Sequence, residues 1–301
     1  MRPLLLLAAL SAGTAAPAYP IPPQPLRKLF VEAELVVVAV PGRSVAVPER
    51  PDDWDQAAVP LAIRRVLKGD PALKEVTVFH KPNLICPAPD TYPEGKTVVA
   101  FLHRHKTRDG YRAPGLSYAS KVLEPRALEA FVTRMEELAK IPDAAASSEP
   151  SRELVEWAVK CAENPATRWD GACEFSWAVL GRDEKAKPIS VRRLDESQVG
   201  RLYRGLLETW PPGHAEAHLA STLAELREPR VDSYLARGIR EIVGRPEPPL
   251  EAQILAEALL RALFSRGASP AAGKAVLDLD AAETDYPRKL QILRDAARAL
   301  P

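Results

Sequence analysis

Cysteine is scarce in this chain, three among 301 residues, and no two stand in a CxxC pair. That spacing excludes a zinc knuckle. A run long enough to cross a bilayer is missing as well: 4–10 is apolar without interruption, far short of the roughly 20 residues a permanent span needs. Charge of one sign is not in excess either. The formal net charge is +1 and no basic run stands out, so nothing attracts nucleic acid or anionic lipid over long range. Asparagine is rare, while alanine, arginine, leucine and proline dominate, a composition that fits a GC-rich bacterial source.

What is present begins with an export signal. Arg2 supplies a positive start, 4–10 the apolar centre, and Ala16-Pro17-Ala18 the small residues that signal peptidase requires. No cysteine follows the apolar run where a lipid-modified one would have to stand. The expectation is an exported protein, periplasmic or extracellular, with 1–18 removed and no membrane span. In an oxidising compartment Cys161 and Cys173, twelve residues apart, are a candidate disulfide. The alternative is three independent buried thiols, Cys86 included.

After a proline-rich lead at 19–25 comes a short helical turn at 26–32, then strand signals. Residues 35–40 are β-branched and end at Pro41-Gly42; 43–55 reads as a surface loop. Residues 57–67 alternate and close at Lys68-Gly69-Asp70-Pro71. Further strands are expected around 76–79, 97–102 and 120–123. Strands this dense, with turn chemistry between them, predict a barrel or sandwich. The period then changes. Leu128, Phe131, Val132, Met135 and Leu138 share one helical stripe, stopped by Pro142. Residues 143–150 are small and polar and mark the expected domain boundary.

Everything beyond 151 reads as helix. Apolar stripes run through Leu154–Cys161, Val199–Trp210, Leu219–Leu226, Val231–Ile242, Leu255–Leu263 and Tyr286–Leu300. Breakers separate them: Asn164-Pro165, Pro211-Pro212-Gly213, Glu228-Pro229, Gly244-Arg245-Pro246 and Ser269-Pro270. A short helix with one apolar stripe must stack on neighbours, which predicts an α-solenoid-like array without a clean repeat period.

Residues 34–40, the turn Leu67-Lys68-Gly69-Asp70, Cys86-Pro87, Tyr92-Pro93-Glu94-Gly95-Lys96 and 98–102 follow in an order that resembles bacterial relatives of the TIMP/netrin-like OB-fold. The helical part resembles HEAT-like repeats. The first resemblance implies an exported interaction module, since OB-folds bind oligomers on one barrel face and TIMP-like members bind proteins. TIMPs open their mature chain on a cysteine that chelates a proteinase's zinc. Here Tyr19-Pro20-Ile21-Pro22-Pro23 stands in that place, so inhibition by that route is not expected. The expected class is α+β and multidomain: an OB-like β-barrel at 26–142, then an α-helical, α-solenoid-like domain at 151–301.

Several residues are candidates for chemistry. His103 and His105 alternate along a strand and could face one side as metal ligands, with His80 nearby; the alternative is a charged hairpin tip at 104–110 where they are merely solvated. His214 and His218 stand four apart, but Glu216 between them is not the adjacent glutamate of a zinc protease. Gly115-Leu116-Ser117-Tyr118-Ala119 lacks the strand and helix that a nucleophile elbow needs. Trp54, Tyr92, Tyr111 and Tyr118 lie at loops or strand ends, where rings stack on a ligand or close a barrel. Trp157, Trp177 and Trp210 fall on helical stripes.

No convergent catalytic set emerges. The expectation is a non-enzymatic binding or scaffolding protein without a cofactor, whose partner is another protein or an extracytoplasmic polymer and not nucleic acid. The competing readings are a metal-dependent hydrolase using either histidine pair and a protease inhibitor acting through barrel loops.

Overall fold

The computed structural model describes residues 24–48, 50, 54–83, 89–114, 118–142, 149–176 and 188–300. The expected signal at 1–18, Cys86, residues 115–117, residues 143–148 of the expected boundary and Trp177 lie outside them.

Helix α1 (Leu26–Glu32) leads into β1 (Leu35–Pro41), β2 (Val45–Ala46), β3 (Ala57–Lys68), β4 (Glu75–His80), β5 (Val98–Arg104), β6 (Tyr111–Arg112) and β7 (Ser120–Val122). Five of these strands close a ring, β1-β3-β4-β6-β5 and back to β1. Every neighbouring pair in the ring is antiparallel except β4 and β6, where Val78 stands opposite Tyr111. Strand β2 extends from β3, and β7 pairs outside the ring with β5. The result is a closed five-stranded barrel, compatible with the OB-like one that the resemblance implies.

The apolar runs in β1 and β5 have a physical reason: both faces are covered. Leu35, Val37 and Ala39 point inward with Val98, Ala100 and Leu102, joined by Val59, Leu61, Val76, Val78, Tyr92 and Tyr111. Val36, Val38, Val99 and Phe101 point outward into a second buried cluster, which they share with Leu26, Phe30, Phe131 and Met135. Two register shifts in the β1–β3 pairing bend the long strand β3 around the ring.

The helices follow: α2 (Pro125–Leu138), α3 (Arg152–Glu163), α4 (Arg168–Glu174), α5 (Glu196–Glu208), α6 (His214–Thr222), α7 (Pro229–Val243), α8 (Leu250–Ser265), α9 (Pro270–Ala281) and α10 (Tyr286–Ala299). Sequence chemistry sets their starts. Ser151 Oγ accepts from Leu154 N, Asp195 and Gln198 form a reciprocal capping box, and proline opens α2, α7 and α9. The expected breakers all fall at helix boundaries. Helices α4 and α9 carry no stripe that announces them: α4 buries polar residues, and the apolar positions of α9 are largely alanine.

Helix α3 packs on α4 and α5, α4 on α6, α6 on α8, and α7 on α5, α8 and α10. Most contacts join helices adjacent or two apart in sequence, and α10 returns to α7, which gives a layered helical array. The closest approach is at Gly171, where a Cβ would overlap the Ala162 backbone and come within 2.7 Å of Ala158 O.

Arginines lock the turns of this array. The Arg168 guanidinium is fully buried and donates to the carbonyls of Ala162, Glu163 and Gly205, to Thr209 Oγ1 and to the Glu216 carboxylate. Arg266 binds Asp232 and the carbonyls of Ala220, Leu223 and Glu228. Arg240 reaches the Ala297 and Leu300 carbonyls, and Arg294 those of Val243, Arg245 and Pro246. Apart from Glu228 O at the N-cap of α7, these carbonyls lie in the last turn of a helix or just beyond it, where partners within the helix run out.

Helix and barrel are joined by polar contacts as well. Asp170 Oδ1 accepts from Leu26 N at 2.8 Å, capping α1 across 144 residues of chain. Arg27 Nε lies 2.7 Å from Glu174 Oε2 in a buried ion pair. Lys68 Nζ donates to the carbonyls of Phe30 and Val31, closing the other end of α1. Trp157 Nε1 donates to Arg134 O, tying α3 to α2.

Candidate binding rim of the barrel

One edge of the barrel carries an exposed aromatic on a braced support. Trp54, just before β3, is 77% exposed, the most exposed large apolar side chain among the described residues. Lys81, just after β4, lies over its ring at 5.1 Å from the centroid. Behind it, the β5–β6 hairpin is bonded to the loop before β3. Arg50 Nη1 donates to Thr107 O at 2.9 Å, and Arg108 Nη2 donates to Pro48 O at 2.8 Å. Arg108 also covers the Phe79 ring. Gly110 is required at the hairpin base, because a Cβ there would meet Thr77 O at 2.7 Å.

His105 anchors this hairpin. Its Nε2 is 2.7 Å from Asp55 Oδ2, and its Nδ1 accepts from the backbone N–H of Thr107 at 3.1 Å and of Arg108 at 3.0 Å. Two amide donors on Nδ1 leave the single proton of the neutral ring on Nε2, where it meets the carboxylate. Both ring nitrogens are therefore committed. His103 has other surroundings, with Nδ1 3.3 Å from Glu34 Oε1 on a partly exposed ring. The alternation expected for the pair ends with β5 at Arg104.

Beneath the rim lies a buried titratable group. His80 continues the inward face of Val76 and Val78, with its ring edge-on to Tyr92 at 5.4 Å and Nε2 3.5 Å from Ser44 Oγ. Burial lowers its pKa, and the Asp55 charge opposes that shift. Asp90 sits beside it. Burial pushes its carboxyl up to about 6 and the Asp55 charge adds to this, while the Tyr92 hydroxyl and Arg112 hold it down. The Tyr92 hydroxyl lies next to that carboxyl without completing hydrogen-bond geometry. The strap bearing Asp90 is fixed by Thr91 N to Ser120 Oγ and by Gly95 N to Pro41 O.

The four candidate aromatics do not share a face. Trp54 is exposed, Tyr92 and Tyr111 are buried inside the barrel, and Tyr118 packs against the helix-side cluster. Of the four, Trp54 alone is exposed; Tyr92 and Tyr111 fill the barrel interior and Tyr118 is half-buried.

In the helical part, His214 opens α6 on the surface. His218 is partly buried, 3.8 Å from Cys173 Sγ and stacked near Trp169. Burial lowers the pKa of His218 and, with Asp170 and Glu174 close by, raises that of the Cys173 thiol. A thiol held protonated beside a neutral imidazole is a poor nucleophile. Cys161 and Cys173 are both buried free thiols. Among the described residues, no three His, Cys, Asp or Glu side chains gather to hold a metal ion.

Asp55, Asp90 and the hairpin brace escaped the sequence reading. Their partners are 50 or more residues away, or depend on depth inside the barrel. No family model matches this chain, and a search of curated proteins finds no relative.

Proposed function

We propose that the protein is an exported, non-enzymatic binding module whose partner docks on the barrel rim around Trp54. The carrying observation is a tryptophan 77% exposed on loops already braced to one another. A rigid aromatic anchor gives up little conformational entropy on binding, which is how contact hot spots are built. Lys81 beside the ring adds a cation, so the rim suits another protein or an extracytoplasmic polymer that brings a flat or acidic group. The ring order and its one parallel pairing support the TIMP/netrin-like reading of the barrel, and the two-layered helices support the HEAT-like one. The apolar run at 4–10 and Ala16-Pro17-Ala18 support export.

The hydrolase reading is disfavoured by the state of its candidate groups. His105 has both nitrogens engaged while His103 faces Glu34, and His214 is exposed while His218 is half-buried against Cys173. Affinity enrichment from an extracytoplasmic fraction, with elemental analysis of the purified protein and a hydrolase panel, tests the reading. The expected result is a retained partner with no stoichiometric transition metal and no turnover. A bound metal with measurable turnover would overturn it.

A further inference from the structure

The geometry points to His105 as a proton-operated latch on the rim: protonating its imidazole opens the hairpin tip and loosens the surface around Trp54. The inference rests on the rim being the contact surface, and it adds the control of that surface.

In the neutral ring Nδ1 is an acceptor, and it takes the N–H groups of both Thr107 and Arg108. A second proton goes to Nδ1 and turns that acceptor into a donor, so both amide bonds are lost at once. The ring itself does not leave, because Nε2–H faces the Asp55 carboxylate at 2.7 Å and that bond strengthens when the ring is charged. The tip must therefore give way. Thr107 O and the Arg108 guanidinium are the two hairpin ends of the brace to Arg50 and Pro48, so moving the tip loosens the brace.

The charged groups around the ring come from every element packed on it. Asp55 meets it from the loop before β3, Arg108 binds it through its backbone N–H from the hairpin, and Arg50 holds the tip from the facing loop. Beyond Asp55, His80 on β4 and Asp90 on the strap both feel its charge, and Arg112 on β6 acts on Asp90. A histidine changes charge in the range of pH that differs between compartments, so an exported protein would meet both states.

The test needs no partner. Nitrogen NMR of the imidazoles reports which nitrogen carries the proton, and amide exchange reports protection at Thr107 and Arg108 from pH 8 to 5. Protection is expressed against the intrinsic exchange rate at each pH. The expected result is an unprotonated Nδ1 at pH 7.5, and a fall in protection of about tenfold or more in step with the His105 titration. In His105→Asn the side-chain oxygen takes the place of Nδ1 as acceptor but does not titrate, so protection there stays level with pH. A proton on Nδ1 at pH 7.5, or protection in the native protein unchanged through the titration, overturns the latch. Either outcome leaves the Trp54 reading standing, because that reading is measured separately by partner retention.

Discussion

Asp90 and His80, side by side at the barrel end, bend the pH dependence of stability in opposite directions. The Asp90 carboxyl rises from 3.8 to about 6 because burial penalises its charge. The stability it contributes is complete below 3.8 and is lost as pH climbs through 6. At pH 7 the buried charge thus costs about 3 kcal/mol. His80 is lowered from 6.5, so its contribution is present above that value and falls away as the solution becomes more acid. Asp90→Asn is expected to raise stability at pH 7 by up to about 3 kcal/mol and by almost nothing at pH 4. Urea unfolding at the two pH values checks it, and no gain at pH 7 would contradict it. None of this was legible in the sequence. Asp90 stands among prolines in what reads as an open loop, and only the closed ring makes it buried.

At the scale of elements, arginine does what the apolar stripes do not. Arg168 ties the ends of α3 and α5 to Glu216 of α6 from a fully buried position. Arg168→Ala would remove the donor to the Ala162 and Glu163 carbonyls and the buried partner of Glu216, so a loss of about 3–5 kcal/mol is expected by denaturant titration. Arg192, paired with Glu225 on the surface, is the control: its alanine variant should change stability by no more than about 0.5 kcal/mol. Comparable losses for the two would contradict the account. Strands β1, β3, β4, β5 and β7 and helices α2, α3, α5, α6, α7, α8 and α10 were legible because their apolar residues recur at the period of the element, whereas the two-residue strands β2 and β6 were too short to show one. Helix α4 was not. Arg168, Asp170 and Glu174 look like a solvated face in sequence, yet they are buried because α1 and α6 bring partners to them. His103 and His105 have different partners, Glu34 and Asp55, and the strand that would align the two ends between them at Arg104.

Across the whole molecule, one buried cluster runs from Leu26 through the outer face of the barrel to Leu300. The barrel therefore stands on the helical array, and its rim is held by a scaffold far larger than itself. The sequence reads as two units because composition and period change near 143–150. Phe101 and Val99, which join the units, look like any strand residues until their outward faces are covered. Among the described residues no helix is long and apolar enough to cross a membrane. The two most exposed large apolar side chains among the described residues offer rival contact points on this body: Trp54 on the rim, 77% exposed, and Leu277 on α9, 68% exposed.

Retention of the enriched partner by Trp54→Ala and by Leu277→Ala, each set against the native protein, decides between them. The account predicts that Trp54→Ala loses about thirtyfold in affinity, the scale of a hot-spot tryptophan, while Leu277→Ala binds as the native protein does. Undiminished binding by Trp54→Ala would contradict it.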